Sequence, residues 1–191
     1  MIFVVRHGRT QANASGLLLG RADPALDETG RAQAAAVAAV LPGVTRVVAS
    51  PLLRAQETAA AFGLPVETDE RWIELDYGDW DQRPILEIPA ETWAAWRTDP
   101  AFRPPGGETL AELNQRVRRA CDDVIATRTD GHTVVVTHVS PVKAAVAWAL
   151  AVDDEVSWRL FVSPGSITRL DRRDDRVVLV SFNEVAHLLA T

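Results

Sequence analysis

The run Ile2-Phe3-Val4-Val5, broken at once by Arg6-His7-Gly8-Arg9-Thr10, sets the reading of the whole chain. It is short, rich in β-branched residues and free of polar alternation, as a strand buried on both faces of a parallel sheet should be. Two further runs share that character: Val47 to Ala49, preceded by Thr45 and Arg46, and Thr133 to Val136. Helical patterns separate them. Asp27-Glu28-Thr29-Gly30 leads into an Ala-rich stretch stopped at Leu41-Pro42-Gly43, and Ser50-Pro51 opens a second helix closed by Gly63. A third covers Ala90 to Arg97, a fourth runs from near Glu108 to about Thr127, and a fifth begins at Ser140-Pro141 and reaches Leu150. In the fourth, Leu110, Leu113, Val117, Cys121 and Val124 form a buried stripe, which makes Cys121 a small core residue. Trp158 to Val162, Ser166 to Leu170 and Val177 to Phe182 read as strands, the last two joined by a hairpin at Asp171-Arg172-Arg173-Asp174-Asp175. This alternation predicts an α/β fold, a three-layer α/β/α sandwich with a mostly parallel central sheet. One domain is expected over residues 1–191, with a lid-like helical insertion at about 84–105.

Composition narrows the partners. The chain is 47% hydrophobic and 24% charged, ordinary values for a globular protein, so a packed core is expected rather than disorder. Twenty Lys+Arg against 26 Asp+Glu leave a net charge of -6, which argues against nucleic acid or an anionic membrane as partner. A local basic pocket remains compatible with it. A single cysteine excludes an intrachain disulfide framework. No stretch reaches the roughly 18 apolar residues of a membrane span, and the N-terminus lacks a signal-peptide pattern, so a cytoplasmic location is expected.

Ligands of open parallel sheets bind beyond the carboxyl ends of the strands. Arg6-His7-Gly8-Arg9-Thr10 follows the first buried run, Ser50-Pro51-Leu52-Leu53-Arg54 the second, and His138-Val139-Ser140 the third. Taken singly, a strand-end histidine is usually structural and a helical arginine usually solvated. Together, two histidines and two arginines on one sheet edge predict an anion pocket. Arginine forks match phosphate oxygens bidentately, and helix N-termini at Pro51 and Pro141 would add backbone N–H donors. No compact cluster has metal-ligand spacing, so neither metal nor cofactor is called for.

These segments also carry a family resemblance. Arg6-His7-Gly8-Arg9-Thr10-Gln11-Ala12-Asn13 resembles the R-H-G-x-[ST]-x-x-N signature of the histidine phosphatase superfamily, the phosphoglycerate-mutase-like clan. Ser50-Pro51-Leu52-Leu53-Arg54-Ala55-Gln56-Glu57-Thr58-Ala59 is similar to its second motif, and Glu74-Leu75-Asp76-Tyr77-Gly78-Asp79-Trp80 to the segment bearing its acid. Pro105-Gly106-Gly107-Glu108-Thr109 resembles a later landmark, and Thr137-His138 the strand-end second histidine. Five motifs in the family's order make the resemblance specific, and it points to the small-phosphatase branch.

The resemblance implies metal-independent hydrolysis of a small phosphorylated metabolite. His7 would take up phosphorus as phosphohistidine, a role suited to imidazole, whose pKa of about 6.5 leaves a neutral fraction near neutrality. Arg6, Arg54 and His138 would hold the nonbridging oxygens. Glu74 would protonate the leaving alkoxide and then deprotonate water, work that needs a carboxyl with a raised pKa in an apolar setting such as Trp72, Ile73, Leu75, Tyr77 and Trp80 offer. Asp76 and Asp79 are rival acids. Thr10 and Asn13 would add neutral hydrogen bonds, while Arg21, Val139, Trp93, Trp96 and Arg97 are candidate substrate contacts, although a tryptophan stripe at helical spacing is more often core than binding surface. The chain departs from the pattern at Val139-Ser140, where many relatives have two glycines, at Gln82, where glycine is common, and at Lys143, where arginine is common.

Two other readings compete: a phosphoglycerate mutase and a catalytically silent phospholigand-binding scaffold. A mutase needs further basic residues around a lid. Here the acid motif continues through Asp76, Asp79 and Asp81, and only Arg83 and Arg97 lie between Arg71 and Arg103. A scaffold has no need of His7, Arg6, Arg54, Glu74 and His138 together. A homodimer through an edge strand is left open.

Overall fold

The computed structural model describes residues 1–99, 101–127, 130–174 and 176–189. In chain order the elements are β1 (Ile2–Arg6), α1 (Gln11–Ala14), α2 (Glu28–Val40), β2 (Val44–Ala49), α3 (Leu53–Ala60), β3 (Val66–Thr68), α4 (Ala90–Thr98), α5 (Leu110–Ala126), β4 (His132–Thr137), α6 (Val139–Leu150), β5 (Ile167–Arg173) and β6 (Arg176–Glu184). The strands form one sheet in the order β3-β2-β4-β1-β5-β6. The first four run parallel, and β5 and β6 join antiparallel.

Alternation along β1 sorts the core into two layers. Phe3 and Val5 pack with Val37 of α2 and Ala55 and Ala59 of α3. Ile2 and Val4 pack with Leu113 and Val117 of α5 and Val142 and Ala145 of α6. The central strand is thus buried on both faces, which is why its sequence shows no polar alternation. Each such side chain contributes roughly 1.5–3 kcal/mol of transfer free energy. Local signals start the helices. The Asp27 carboxylate accepts the Gly30 N–H to cap α2, and Thr109 and Glu112 form a reciprocal capping box on α5.

The segment carrying His7 lies backbone against backbone on the first turn of α2. A Cβ on Gly8 would stand 2.3 Å from the Gly30 carbonyl oxygen, and one on Gly30 would stand 2.0 Å from that of Arg9. Only glycine fits at either place.

Two expectations change, and one strand is new. Trp158 to Val162 is not a strand: a 3-10 turn covers Asp154–Arg159 and extended chain follows. The free edge of β1 is taken by β5, with Val5 opposite Ile167, while the Trp158 ring packs against Trp93 and Trp96. The short edge strand β3 (Val-Glu-Thr) has too few apolar residues to announce itself. Helix α3 starts at Leu53 rather than Ser50-Pro51, because the Ser50 N–H still bonds the Val136 carbonyl of β4. The β5–β6 hairpin is present, although Asp175 lies outside the described residues, as does Pro100 of the 84–105 segment. Among the described residues no helix is long and apolar enough to cross a membrane.

Candidate active site

The carboxyl ends of β1, β2 and β4 deliver the predicted residues to one place. His7 and His138 face each other with ring centroids 5.0 Å apart, and Arg54 Nε donates to His7 Nε2 at 3.3 Å. All three are buried. His7 Nδ1 lies 2.7 Å from the Gly8 carbonyl oxygen. A carbonyl only accepts, so Nδ1 carries the proton and Nε2 presents its lone pair. His138 Nε2 is 2.7 Å from Ser50 Oγ. Its Nδ1, and Arg6 Nε, are buried without a partner among the described residues. Arg6 Nη1 donates to the Val162 carbonyl at 2.7 Å.

Burial, reinforced by the Arg54 and Arg6 charges, pushes both imidazoles well below their ordinary range, so both are neutral at pH 7. Burial also lowers Arg6, to about 10, with nearby Glu74 opposing the shift; the guanidinium stays cationic. Arg54 is lowered by burial as well, again against Glu74.

Arg54 is not a free fork. Its Nη1 donates to the Ala22 carbonyl at 2.7 Å and its Nη2 to the Gly20 carbonyl at 2.8 Å. The bidentate phosphate grip expected of it is therefore corrected: the terminal nitrogens hold the loop around Arg21, and Nε faces His7. Asp81 clamps the same loop, accepting the Gly20 N–H at 2.8 Å and the Ala22 N–H at 2.6 Å. This also corrects the reading of an acidic run aimed at substrate. Asp81 serves the loop, Asp76 accepts the Gly78 N–H, and Asp79 is exposed.

The helix N-termini are likewise engaged. The Leu53 N–H of α3 donates to Asp23 at 2.6 Å. The first N–H groups of α6 hold Glu74: Val139 N–H reaches Oε2 at 3.0 Å and Ser140 N–H reaches Oε1 at 3.1 Å, with the Leu75 N–H adding a bond to Oε1 at 2.7 Å. The anion at this helix terminus is the protein's own carboxylate. Glu74 is buried over Trp72 and Leu75. Its backbone is pinned by Arg116, whose Nη1 donates to the Arg71 and Ile73 carbonyls at 2.7 Å and whose Nη2 reaches the Glu74 carbonyl at 3.1 Å. Arg116 pairs in turn with Glu108 at 2.8 Å, and Glu108 accepts the Asp76 N–H. Nothing in the sequence singled out Arg116 or gave Asp81 its hold on the loop, because side-chain bonds to distant loop carbonyls and amides leave no periodic trace.

The candidate substrate contacts divide. The Thr10 hydroxyl closes a capping box with Asn13, whose Oδ1 accepts and whose NH2 takes no part. Arg21 pairs with Glu108 at 3.5 Å. Beside Glu74 lies a cavity of about 70 Å³ whose walls include Tyr77, Trp93, Trp96, Val139, Lys143 and Trp158. Trp93 and Trp96 stack with centroids 5.6 Å apart. Arg97 lies 6.0 Å over the Trp158 ring and does not line this cavity, so it drops out of the set.

The family model described as histidine phosphatase superfamily (branch 1) matches residues 2–185. Bifunctional protein Rv2228c of Mycobacterium tuberculosis is 33% identical over 177 residues, covering 87% of this chain and 49% of that protein, so the chain spans about half the length of that relative. Probable phosphoglycerate mutase GpmB of Yersinia enterocolitica is 32% identical over 203 residues, covering 98% of this chain and 94% of its own. Among solved structures, mycobacterial glucosyl-3-phosphoglycerate phosphatase Rv2419c complexed with VO3 is 30% identical, with a TM-score of 0.87 over 96% of this chain and 98% of that one. The alpha-ribazole phosphatase from Shigella flexneri is 28% identical, with a TM-score of 0.82 over 96% of both chains.

Proposed function

The chain belongs to the histidine phosphatase superfamily, branch 1, and from that premise we propose that it is a metal-independent phosphatase hydrolysing small phosphomonoesters through a phosphohistidine on His7. The observation that carries the reading is the neutral His7 ring, its proton fixed on Nδ1 by the Gly8 carbonyl and its Nε2 lone pair turned to Arg54 across from His138. An arriving phosphoryl group takes the Arg54 Nε–H in place of that lone pair, and Arg6 and His138 bind further oxygens. Glu74 takes a proton from the incoming monoanionic ester, Nε2 attacks phosphorus in line, the ester P–O bond breaks, and Glu74 gives that proton to the leaving alkoxide. Water next attacks the phosphohistidine and yields a proton to Glu74. The P–N bond breaks, Glu74 passes the proton to the departing phosphate, and both groups return to their starting forms.

Asn13 is assigned to the phosphoryl side, and Val139, Trp93 and Trp96 to the leaving group, with the 84–105 segment as a lid over one catalytic domain. Arg21 stands at the rim, and Thr10 supports Asn13. Hydrolysis is favoured over mutase chemistry because the cavity walls offer Lys143 as their cation among otherwise uncharged side chains. A second phosphoryl group calls for more charge than that. A cytoplasmic phosphorylated metabolite is the substrate class assigned.

The test is phosphate release from p-nitrophenyl phosphate and a metabolite panel, with and without chelator, combined with base quenching during turnover and mass spectrometry of the His7 peptide. Release that survives chelator, a phosphoryl adduct on that peptide, and loss of both in His7→Ala are expected. Unchanged turnover in His7→Ala, or no release from any ester, would overturn the reading.

A further inference from the structure

Lys143 is the only lysine in the chain, and the mechanism above gives it no step. It sits in the first turns of α6, half-buried, and lines the aromatic cavity with Tyr77, Trp93, Trp96 and Trp158. No side chain or carbonyl among the described residues takes its ammonium as a hydrogen-bond or ion-pair partner. The carboxylate whose charge reaches it is Glu74, whose two oxygens already accept three backbone N–H groups. Burial lowers the Lys143 ammonium from its ordinary value, with Glu74 opposing and Arg6 adding to the shift. A cation in such surroundings is strongly improved by any anion that reaches it, since apolar walls leave little water to screen the pair.

The position fixes which part of a substrate that anion belongs to. Val139 and Ser140 hold Glu74 through their N–H groups and line the cavity as well, so the cavity opens on the side from which the leaving oxygen is protonated. Tyr77, Trp93, Trp96 and Trp158 bound it on one side and the Val139–Lys143 turn of α6 on the other, so an anionic group that enters it meets Lys143 as the cation of its walls. Resting on the phosphatase reading, we propose that Lys143 is a specificity residue that pairs with a carboxylate on the leaving group, selecting phosphorylated acids over their neutral counterparts.

A matched pair of esters tests this: 3-phosphoglycerate and glycerol phosphate, which differ by a carboxylate against a hydroxymethyl group. Wild-type protein should prefer the acid by about tenfold to a hundredfold in kcat/KM, the range a charge-assisted hydrogen bond supplies. In Lys143→Met that preference should collapse toward one, mainly through KM on the acid, while Lys143→Arg keeps most of it. A preference unchanged in Lys143→Met, or no preference in the wild type, overturns the assignment of Lys143. Product inhibition of the wild type gives a reading that needs no variant: glycerate should inhibit at least ten times better than glycerol, and equal inhibition refutes the proposal. Hydrolysis of neither ester by protein that still turns over p-nitrophenyl phosphate would overturn this assignment and leave the phosphatase reading standing, whereas no release from any ester would overturn both.

Discussion

Replacing Glu74 with glutamine separates its chemistry from its packing. The side chain keeps its shape and loses both its charge and its capacity to take up and give a proton. One orientation leaves the amide oxygen at the Oε1 site, where the Leu75 and Ser140 N–H groups donate at 2.7 and 3.1 Å. The NH2 then faces the Val139 N–H, donor against donor, where a bond of 3.0 Å had been. One lost charge-assisted bond and one buried unsatisfied donor cost about 1–3 kcal/mol. For a chain of this size that is a fall in Tm of roughly 2–12 °C. Activity should fall much further on an alkyl phosphate, by about 10²–10⁴, the usual contribution of a general acid. With p-nitrophenyl phosphate, whose leaving group needs no proton, formation of the phosphohistidine should be far less affected. Single-turnover release of the alcohol, measured on both esters by rapid quench, gives the ratio directly. Equal losses on the two esters, with the Tm lowered as expected, would leave Glu74 a structural residue and refute its role as acid.

Arg54→Lys keeps the charge but abandons two loop carbonyls and the His7 contact, so kcat/KM should fall at least about a hundredfold, against a few-fold if charge alone mattered. Asp81→Ala removes both amide bonds of the Gly20–Ala22 loop, and about 2–3 kcal/mol of stability should go with them, measured by urea unfolding at constant m-value. The pH dependence follows from the two imidazoles held well below their ordinary range. Above about pH 6.5 they are neutral folded or unfolded. As pH falls below that value only the unfolded chain gains protons, and each histidine removes up to about 1.4 kcal/mol of stability per pH unit until its folded pKa is reached. Unfolding titrations from pH 7 to 5 should show this slope, reduced in His138→Ala. By the same reasoning the acid limb of kcat/KM should not report a His7 pKa near 6.5.

The central strands and the residues at their ends were readable because each signal is local. Ile2 to Val5 and Thr133 to Val136 are short β-branched runs, and Arg6, His7 and His138 stand directly after them, so the parallel sheet brings them together without further information. Arg54 was placed correctly but its task was misread. Which oxygens a guanidinium meets depends on the path of the 20–22 loop, and that path is set by Asp81 from a segment some sixty residues on. Glu74 was readable as a candidate acid, but its capture by the α6 N–H groups was not readable, since a helix terminus accepts any anion and the sequence ranks none above another. Trp158 misled for a similar reason: aromatic and β-branched composition suits a strand and an aromatic cluster equally, and only the pairing of β5 with β1 decides between them.

The contact between Gly8 and Gly30 reverses an ordinary rule of helix engineering. Exchanging a helical glycine for alanine normally gains about 1 kcal/mol, and Gly30 lies inside α2, where such a change invites itself. Here the added methyl would meet the Arg9 carbonyl oxygen at 2.0 Å. The helix would have to retreat, and the chain leaving β1 would lose the wall that fixes its course. A thermostabilising library built on helix propensity would thus select against itself at this position, and exchanging the second glycine as well would only add a second clash with backbone.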